Sequence, residues 1–277
     1  MRLDAHQHFW KLDRGDYGWL TPDLAPIYRD FLPDDLVPLL EKHGIDGTIL
    51  VQAAPTEDET RFLLELAARF NFIKGVVGWV DFEAPDAQER IAGLCADAGL
   101  VGLRPMIQDI PDTRWMLQPN LAPAFRAMAE NRLCFDALTQ PRHLPNLLRL
   151  AEAHPDLKMV VDHGSKPLIA DREITSWAED MSAIAKGTAA FCKLSGLVTE
   201  AGETWTPDTL KPYVDHLLDA FGPQRLIWGS DWPVCTLAAS YDQWIETTEV
   251  LLKDLTHAER AAVFGGNAER FYTNRSL

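Results

Sequence analysis

The sequence predicts a single (β/α)8 barrel, and three observations carry that expectation. Eight short apolar runs recur along 277 residues, amphipathic stretches separate most of them, and no composition shift, repeat or linker marks a second domain. The length suits one barrel better than a pair of small domains. Strands alternating with helices imply a parallel sheet, and eight closing on themselves place functional groups at the carboxyl ends of the strands.

The expected strands are 3–8, 47–54, 75–81, 101–107, 134–140, 158–164, 190–197 and 225–231. Helices follow from 3.6-residue spacing and end signals. Asp34 and Asp35 precede Leu36, Leu39 and Leu40, with Gly44 as a left-handed stop. Leu63, Leu66, Ala67 and Phe70 form a second apolar stripe, and Leu144, Leu147, Leu148 and Ala151 a third. Thr256 and Glu259 have the form of a capping box, and Gly265-Gly266-Asn267 reads as one helix stopping and another being capped. Residues 9–33, aromatic and Pro-rich, would follow the first strand at the carboxyl end, as an insertion at the active site.

Composition excludes several partners. A hydrophobic content of 47% supplies a core, while a net charge of −15 argues against nucleic acid and anionic membranes. Cys95, Cys134, Cys192 and Cys235 show no Cys-x-x-Cys spacing and read as reduced thiols. With no leader before Leu3 and no apolar run long enough to span a bilayer, the expected location is the cytoplasm. No Gly-x-Gly-x-x-Gly follows a strand, which disfavours a dinucleotide enzyme. A small neutral or weakly charged substrate fits best; oligomeric state is not legible.

The chemistry concentrates at strand ends. Alternation aims His6 and His8 at one face, together with Asp4. The same rule offers Gln52, Trp79 with Asp81, Arg104, Asp136, His163, Lys193 with Ser195, and Asp231 to the barrel mouth. Two strand histidines alone are more often hydrogen-bonded structural groups than ligands. Three separate strands ending in metal- or proton-competent groups outweigh that reading. Asp4 lies deep and reads as structural, Asp162 alternates away from His163 as a helix-facing partner, and Arg104 and Asp136 could neutralise each other. Trp10, Trp19 and Trp232 are either packing or apolar walls for a ring-shaped substrate.

Seven segments resemble one family. They are Asp4-Ala5-His6-Gln7-His8-Phe9-Trp10, Val51-Gln52-Ala53, Gly102-Leu103-Arg104-Pro105, Asp162-His163-Gly164-Ser165-Lys166-Pro167, Cys192-Lys193-Leu194-Ser195-Gly196-Leu197, Gly229-Ser230-Asp231-Trp232-Pro233 and Gly266-Asn267-Ala268. Together, in this order and along nearly the whole chain, they are similar to the amidohydrolase superfamily in its amidohydrolase-2 branch, within the group of lactonases acting on fuconolactone, rhamnonolactone or galactonolactone. The resemblance implies a distorted barrel, His6 and His8 as the first-strand pair, His163 on strand six and Asp231 as the eighth-strand acid. Binuclear members carry a bridging Lys or Glu on strand four and a histidine on strand five. Arg104 and Asp136 stand there in this chain, and a guanidinium cannot bridge two metals, so a two-metal site is rejected.

Opening a lactone needs an activated water, withdrawal of charge from the carbonyl oxygen and a proton for the leaving alkoxide. Asp231 is the expected general base, with His6, His8 and His163 beside it. One divalent cation, zinc first among the candidates, could be held by His6, His8 and Asp231; a metal-free version would use the histidines with Arg104 or Lys193 as electrophilic donors. Gln52, Trp79, Gln108, Lys193, Arg104 and Trp10 are the expected substrate contacts. The competing readings are a metal-dependent decarboxylase, a dicarboxylate-lactone hydrolase or a lactone isomerase of the same branch, and, from another class, an inactive barrel that only binds.

Overall fold

The computed structural model describes residues 1–273. Its eight strands are β1 (Leu3–Gln7), β2 (Gly47–Val51), β3 (Ile73–Gly78), β4 (Leu100–Leu103), β5 (Cys134–Ala137), β6 (Met159–Val161), β7 (Phe191–Leu194) and β8 (Leu226–Trp228). They pair in sequence order and in parallel. The ring is drawn shut just past the strand ends, where His8 N donates to Trp232 O at 2.8 Å and Asp231 N to His6 O at 2.7 Å. The expected (β/α)8 barrel is therefore the fold.

Helices α1 (Pro33–His43), α2 (Glu57–Arg69), α3 (Ala87–Leu94), α4 (Ala122–Glu130), α5 (Leu144–Ala153), α6 (Thr175–Gly187), α7 (Pro207–Phe221) and α8 (Tyr241–Leu251) lie between and after the strands, and α9 (His257–Ala261) follows. The end signals behave as their chemistry predicts. Gly44 stops α1 in the left-handed region at φ 60, and Thr256 and Glu259 close a reciprocal capping box on α9. Asn267 differs from expectation. Instead of capping a helix, its Nδ2 donates to Leu226 O and Pro223 O and ties the C-terminal segment to β8.

Two apolar layers hold the barrel. The larger fills the space between sheet and helices, and includes Leu50, Leu103, Phe135, Leu194 and Trp228. The smaller is the barrel's own interior: Leu3 and Ala5, Ile49 and Val51, Val77, Val101, Cys134, Val160 and Ile227, closed from below by Phe271 and Tyr272. These buried branched chains make the lumen a packed core. No helix among the described residues is long and apolar enough to cross a membrane.

β1 carries an irregularity that strict alternation misses. Asp4 pairs with Thr48 but Gln7 with Leu50, so β1 takes three steps where β2 takes two. A bulge of this kind re-phases the side chains beyond it. Leu3 and Ala5 face the lumen and Asp4 faces the helix layer, where it accepts from Ser230 N at 2.8 Å and Tyr241 Oη at 3.2 Å. Beyond the bulge, His6 and His8 turn into the barrel. Asp4 does not share their face, contrary to the alternation rule.

Candidate active site

Five of the polar groups at the barrel mouth lie just beyond the hydrogen-bonded strands that deliver them. β1 ends one residue before His8, β2 one before Gln52, β4 one before Arg104, and β6 and β8 end before His163 and Asp231. At these last two the backbone is left-handed, φ 53 at His163 and φ 57 at Asp231. For residues with a Cβ that conformation costs on the order of 1 kcal/mol each, and it is concentrated here at the groups with the most chemistry.

The left-handed turn explains a correction on β6. Val160 faces the lumen, so alternation sends Asp162 inward, and Asp162 is completely buried there. It is not a helix-facing partner. His163 would point away if the strand continued, but the left-handed step returns its ring over the barrel mouth.

Asp231 is the hub of the arrangement. Its Oδ1 lies 3.2 Å from His8 Nε2, 3.7 Å from His6 Nε2 and 3.9 Å from His163 Nε2. Each ring is held from its far side: His8 Nδ1 against Val51 O at 2.8 Å, His163 Nδ1 against Ser195 Oγ at 2.9 Å, and His6 Nδ1 against Lys193 Nζ at 3.0 Å. Two glycines let the rings sit this close. A Cβ on Gly196, whose φ is 62, would come within 2.5 Å of His163 Nδ1, and one on Gly229 within 2.6 Å of the His6 Cβ.

Lys193 lies beneath these rings, sealed from solvent. Its Nζ reaches Asp136 Oδ2 at 2.5 Å and Asp162 Oδ1 at 3.1 Å, and Tyr272 donates to the same Asp136 oxygen at 2.7 Å. This corrects two expectations. Lys193 faces inward as alternation requires, but too deep to touch a ligand in the pocket. Asp136 is neutralised by Lys193, not by Arg104, whose Nη1 lies 3.6 Å from Asp162 Oδ2.

Above the histidines opens a pocket of about 260 Å³, lined among others by His8, Arg104, His163, Asp231, Gln108 and Lys166. Trp19 supplies its aromatic wall, fixed by a 2.7 Å hydrogen bond from Nε1 to Ala53 O. Trp10, offered with Trp19 as a wall and expected to touch substrate, is fully buried and packs edge-on behind Trp19 with ring centroids 5.7 Å apart. Gln52 is also buried. Its Nε2 donates to Arg104 O at 2.6 Å while Arg104 Nη2 donates back to Gln52 O, so the pair clamp each other and aim the guanidinium. Trp79 lines an adjoining cleft instead.

Sequence reasoning left Lys166 at the margin and misplaced Asp162, and it gave Tyr272 no part at all. The aspartate was legible from the phase of Val160. Tyr272, 136 residues from Asp136, left no signal in local pattern.

Electrostatics separate the groups by protonation. Burial pushes His163 down to about 4 and, aided by the Lys193 ammonium, holds His6 well below the usual imidazole range. Burial alone would raise Asp231, but the surrounding imidazoles, His163 foremost, outweigh it and keep the carboxyl below its ordinary value. The result is an ionised carboxylate beside His6 and His163, the two rings that burial keeps neutral.

That donor set suits a divalent cation. Ligand atoms of His6, His163 and Asp231 all lie within 4.8 Å of one another, and all three residues are buried. His8, which the sequence grouped with His6 and Asp231, abuts the same carboxylate from the side. His8 Nδ1 is anchored on Val51 O, an outer-shell arrangement common to metal-binding histidines, and this aims Nε2 at Asp231.

The fold and site together define a barrel hydrolase of the amidohydrolase type. The family model described as Amidohydrolase matches residues 3–273, and this chain belongs to that family. It is 48% identical over 277 residues to an L-fucono-1,5-lactonase of Burkholderia ambifaria, covering 98% of this chain and 95% of that protein. It is 40% identical to an L-fucono-1,5-lactonase of Burkholderia multivorans, covering 98% and 96%. A crystal structure of an amidohydrolase from Burkholderia multivorans with bound zinc superposes with a TM-score of 0.94 at 39% identity, covering 99% of both chains.

Proposed function

We infer that this chain is a carboxylic-ester hydrolase that opens the ring of a sugar lactone to the aldonic acid, with L-fucono-1,5-lactone the first substrate to test. The observation that carries the reading is the convergence of Asp231 with three imidazoles and Arg104 at one pocket mouth, in a chain 48% identical to a named L-fucono-1,5-lactonase.

The lactone lies against Trp19 with its carbonyl toward Arg104 and its ring hydroxyls within reach of Gln108 and Lys166. Asp231, ionised throughout the neutral range, takes a proton from the attacking water as oxygen adds to the carbonyl carbon. Charge building on the carbonyl oxygen is met by Arg104, whose aim is fixed by Gln52. Collapse of the tetrahedral adduct breaks the bond to the ring oxygen, and the proton held by Asp231 passes to that alkoxide. One water is consumed, and the product ionises to release a proton.

His6, His163 and Asp231, with His8 beside them, would hold one divalent cation, zinc first among the candidates given the zinc in the Burkholderia multivorans structure. Such an ion would acidify bound water and polarise the carbonyl. The testing experiment is a pH-indicator assay of acid release from a panel of aldonolactones. We expect fast release with L-fucono-1,5-lactone or a close stereoisomer, about one equivalent of metal per chain, and a chelator-sensitive rate. Absence of release across the whole panel would overturn the lactonase reading; full activity in metal-free protein would overturn the cation.

A further inference from the structure

Beside the reaction pocket lies a second cavity of about 560 Å³, roughly twice its volume. Trp19, Met106 and Asp109 line both, so a molecule in one sits directly against the boundary of the other. The smaller pocket is near the lower end of the usual range for ligand sites and suits a single six-membered sugar ring. Such a substrate leaves the larger cavity to something else.

Its walls are specific in chemistry. Trp19 and Trp79 present partly exposed indoles, with Phe82 and Trp115 buried behind them. Between these stand Asp81, Glu83, Asp109 and Asp16, the last paired with Arg14 at 2.6 Å, and no lysine or arginine lines the cavity. Asp81 and Glu83 are fixed in place as well, Asp81 Oδ1 by Glu83 N at 2.9 Å and Glu83 Oε1 by Trp115 Nε1 at 2.5 Å. A purely apolar ligand would desolvate these acids with no compensation, and an anion would be repelled. A ring with an apolar C–H face and hydroxyl donors at its rim matches both surfaces: the face stacks on indole and the hydroxyls donate to carboxylates.

We propose that this cleft is an accessory subsite for an uncharged sugar ring, the glycosyl group of a lactone larger than a monosaccharide's. The assignment rests on the lactonase reading, and its test is a binding measurement that needs no turnover. Methyl glycosides of L-fucose, D-galactose and D-glucose, with methyl glucuronide and methyl glucosaminide as anionic and cationic arms, are titrated into the Asp231→Asn protein. Tryptophan fluorescence reports the binding. Gly18→Phe in the same background fills the cleft: Gly18 lines it but not the reaction pocket, and a Cβ there meets nothing within 4 Å.

A neutral glycoside should give a saturable change in the millimolar range, at least tenfold weaker with Gly18→Phe and at least tenfold weaker for the glucuronide. In otherwise native enzyme, Gly18→Phe should leave hydrolysis of a monocyclic lactone within about twofold. No saturable change with any neutral glycoside up to about 100 mM overturns the subsite. So does undiminished binding in Gly18→Phe, or tighter binding of either charged glycoside. If no lactone is hydrolysed but glycosides still bind, the lactonase reading fails and the cleft's chemistry stands.

Discussion

The ammonium of Lys193 lies 3.0 Å from Nδ1 of His6, and neither side chain touches solvent. The same ammonium faces Asp136 at 2.5 Å and Asp162 at 3.1 Å, nearer to Asp162 than Arg104 at 3.6 Å. Lys193→Met keeps length and apolar stem but leaves two buried carboxylates without it. Loss of one partner of a buried ion pair costs about 3–5 kcal/mol, so this variant should lose stability on that scale in chemical denaturation. Tyr272→Phe removes one hydrogen bond to Asp136 and should cost only about 1–2 kcal/mol. Equal losses in both would contradict the central place given to the lysine.

Asp231→Asn should lower kcat by about 10³-fold or more with an unchanged far-UV spectrum, since removal of a base is a chemical loss and the amide is isosteric. Near-normal turnover in this variant would remove Asp231 from the mechanism.

Gly196→Ala tests how tightly His163 is positioned. The added methyl carbon would stand 2.5 Å from the imidazole nitrogen, in a backbone region alanine rarely adopts. The ring must move, and a displacement near 1 Å commonly costs about 100-fold in rate. We expect kcat to fall by about that factor while KM changes little; an unaltered kcat would mean the ring's position is not critical.

Trp19 forms a wall of the pocket and is bonded to Ala53 O, away from the reacting groups. Trp19→Ala should raise KM about tenfold and leave kcat within a few-fold, the signature of lost uniform binding. A collapse of kcat at unchanged KM would assign it another role.

Glu59 gives a pH dependence of known sign. Burial pushes its carboxyl up to about 7 from an ordinary 4.5, against the opposing pull of the Ala54 and Ala53 amides. Between those values the folded protein holds a proton that the unfolded chain has released, so raising pH favours unfolding. The contribution is present below about 4.5 and lost as pH passes about 7, on the order of 3 kcal/mol in total. Measured by thermal melts across this window, the midpoint advantage of the native protein over Glu59→Gln should shrink as pH rises. A difference between the two proteins that does not vary with pH would exclude Glu59 as a source of pH dependence.

Much of the fold could be read in advance because its causes are local. Apolar runs of strand length, the stripe from Leu144 to Ala151 and the left-handed stop at Gly44 each depend on near neighbours in sequence. The site was legible in identity more than in depth. Asp231, His163, His6 and His8 meet, yet Lys193 and Gln52 stand behind the pocket where contact with substrate was expected, and of the tryptophans offered as walls Trp19 lines it while Trp10 packs behind. Alternation assigns a face to a side chain but not its height along the barrel axis.

By itself, then, the sequence determined the parallel eightfold repeat and the types of group delivered at the strand ends, because hydrophobic period and residue chemistry are written residue by residue. Tertiary structure decided which of those groups share the pocket. The bulge in β1 and the left-handed backbone at His163 and Asp231 re-aim side chains by amounts no periodicity encodes. Tyr272 reaches Asp136 only because the closed barrel brings the chain's end beneath its fifth strand.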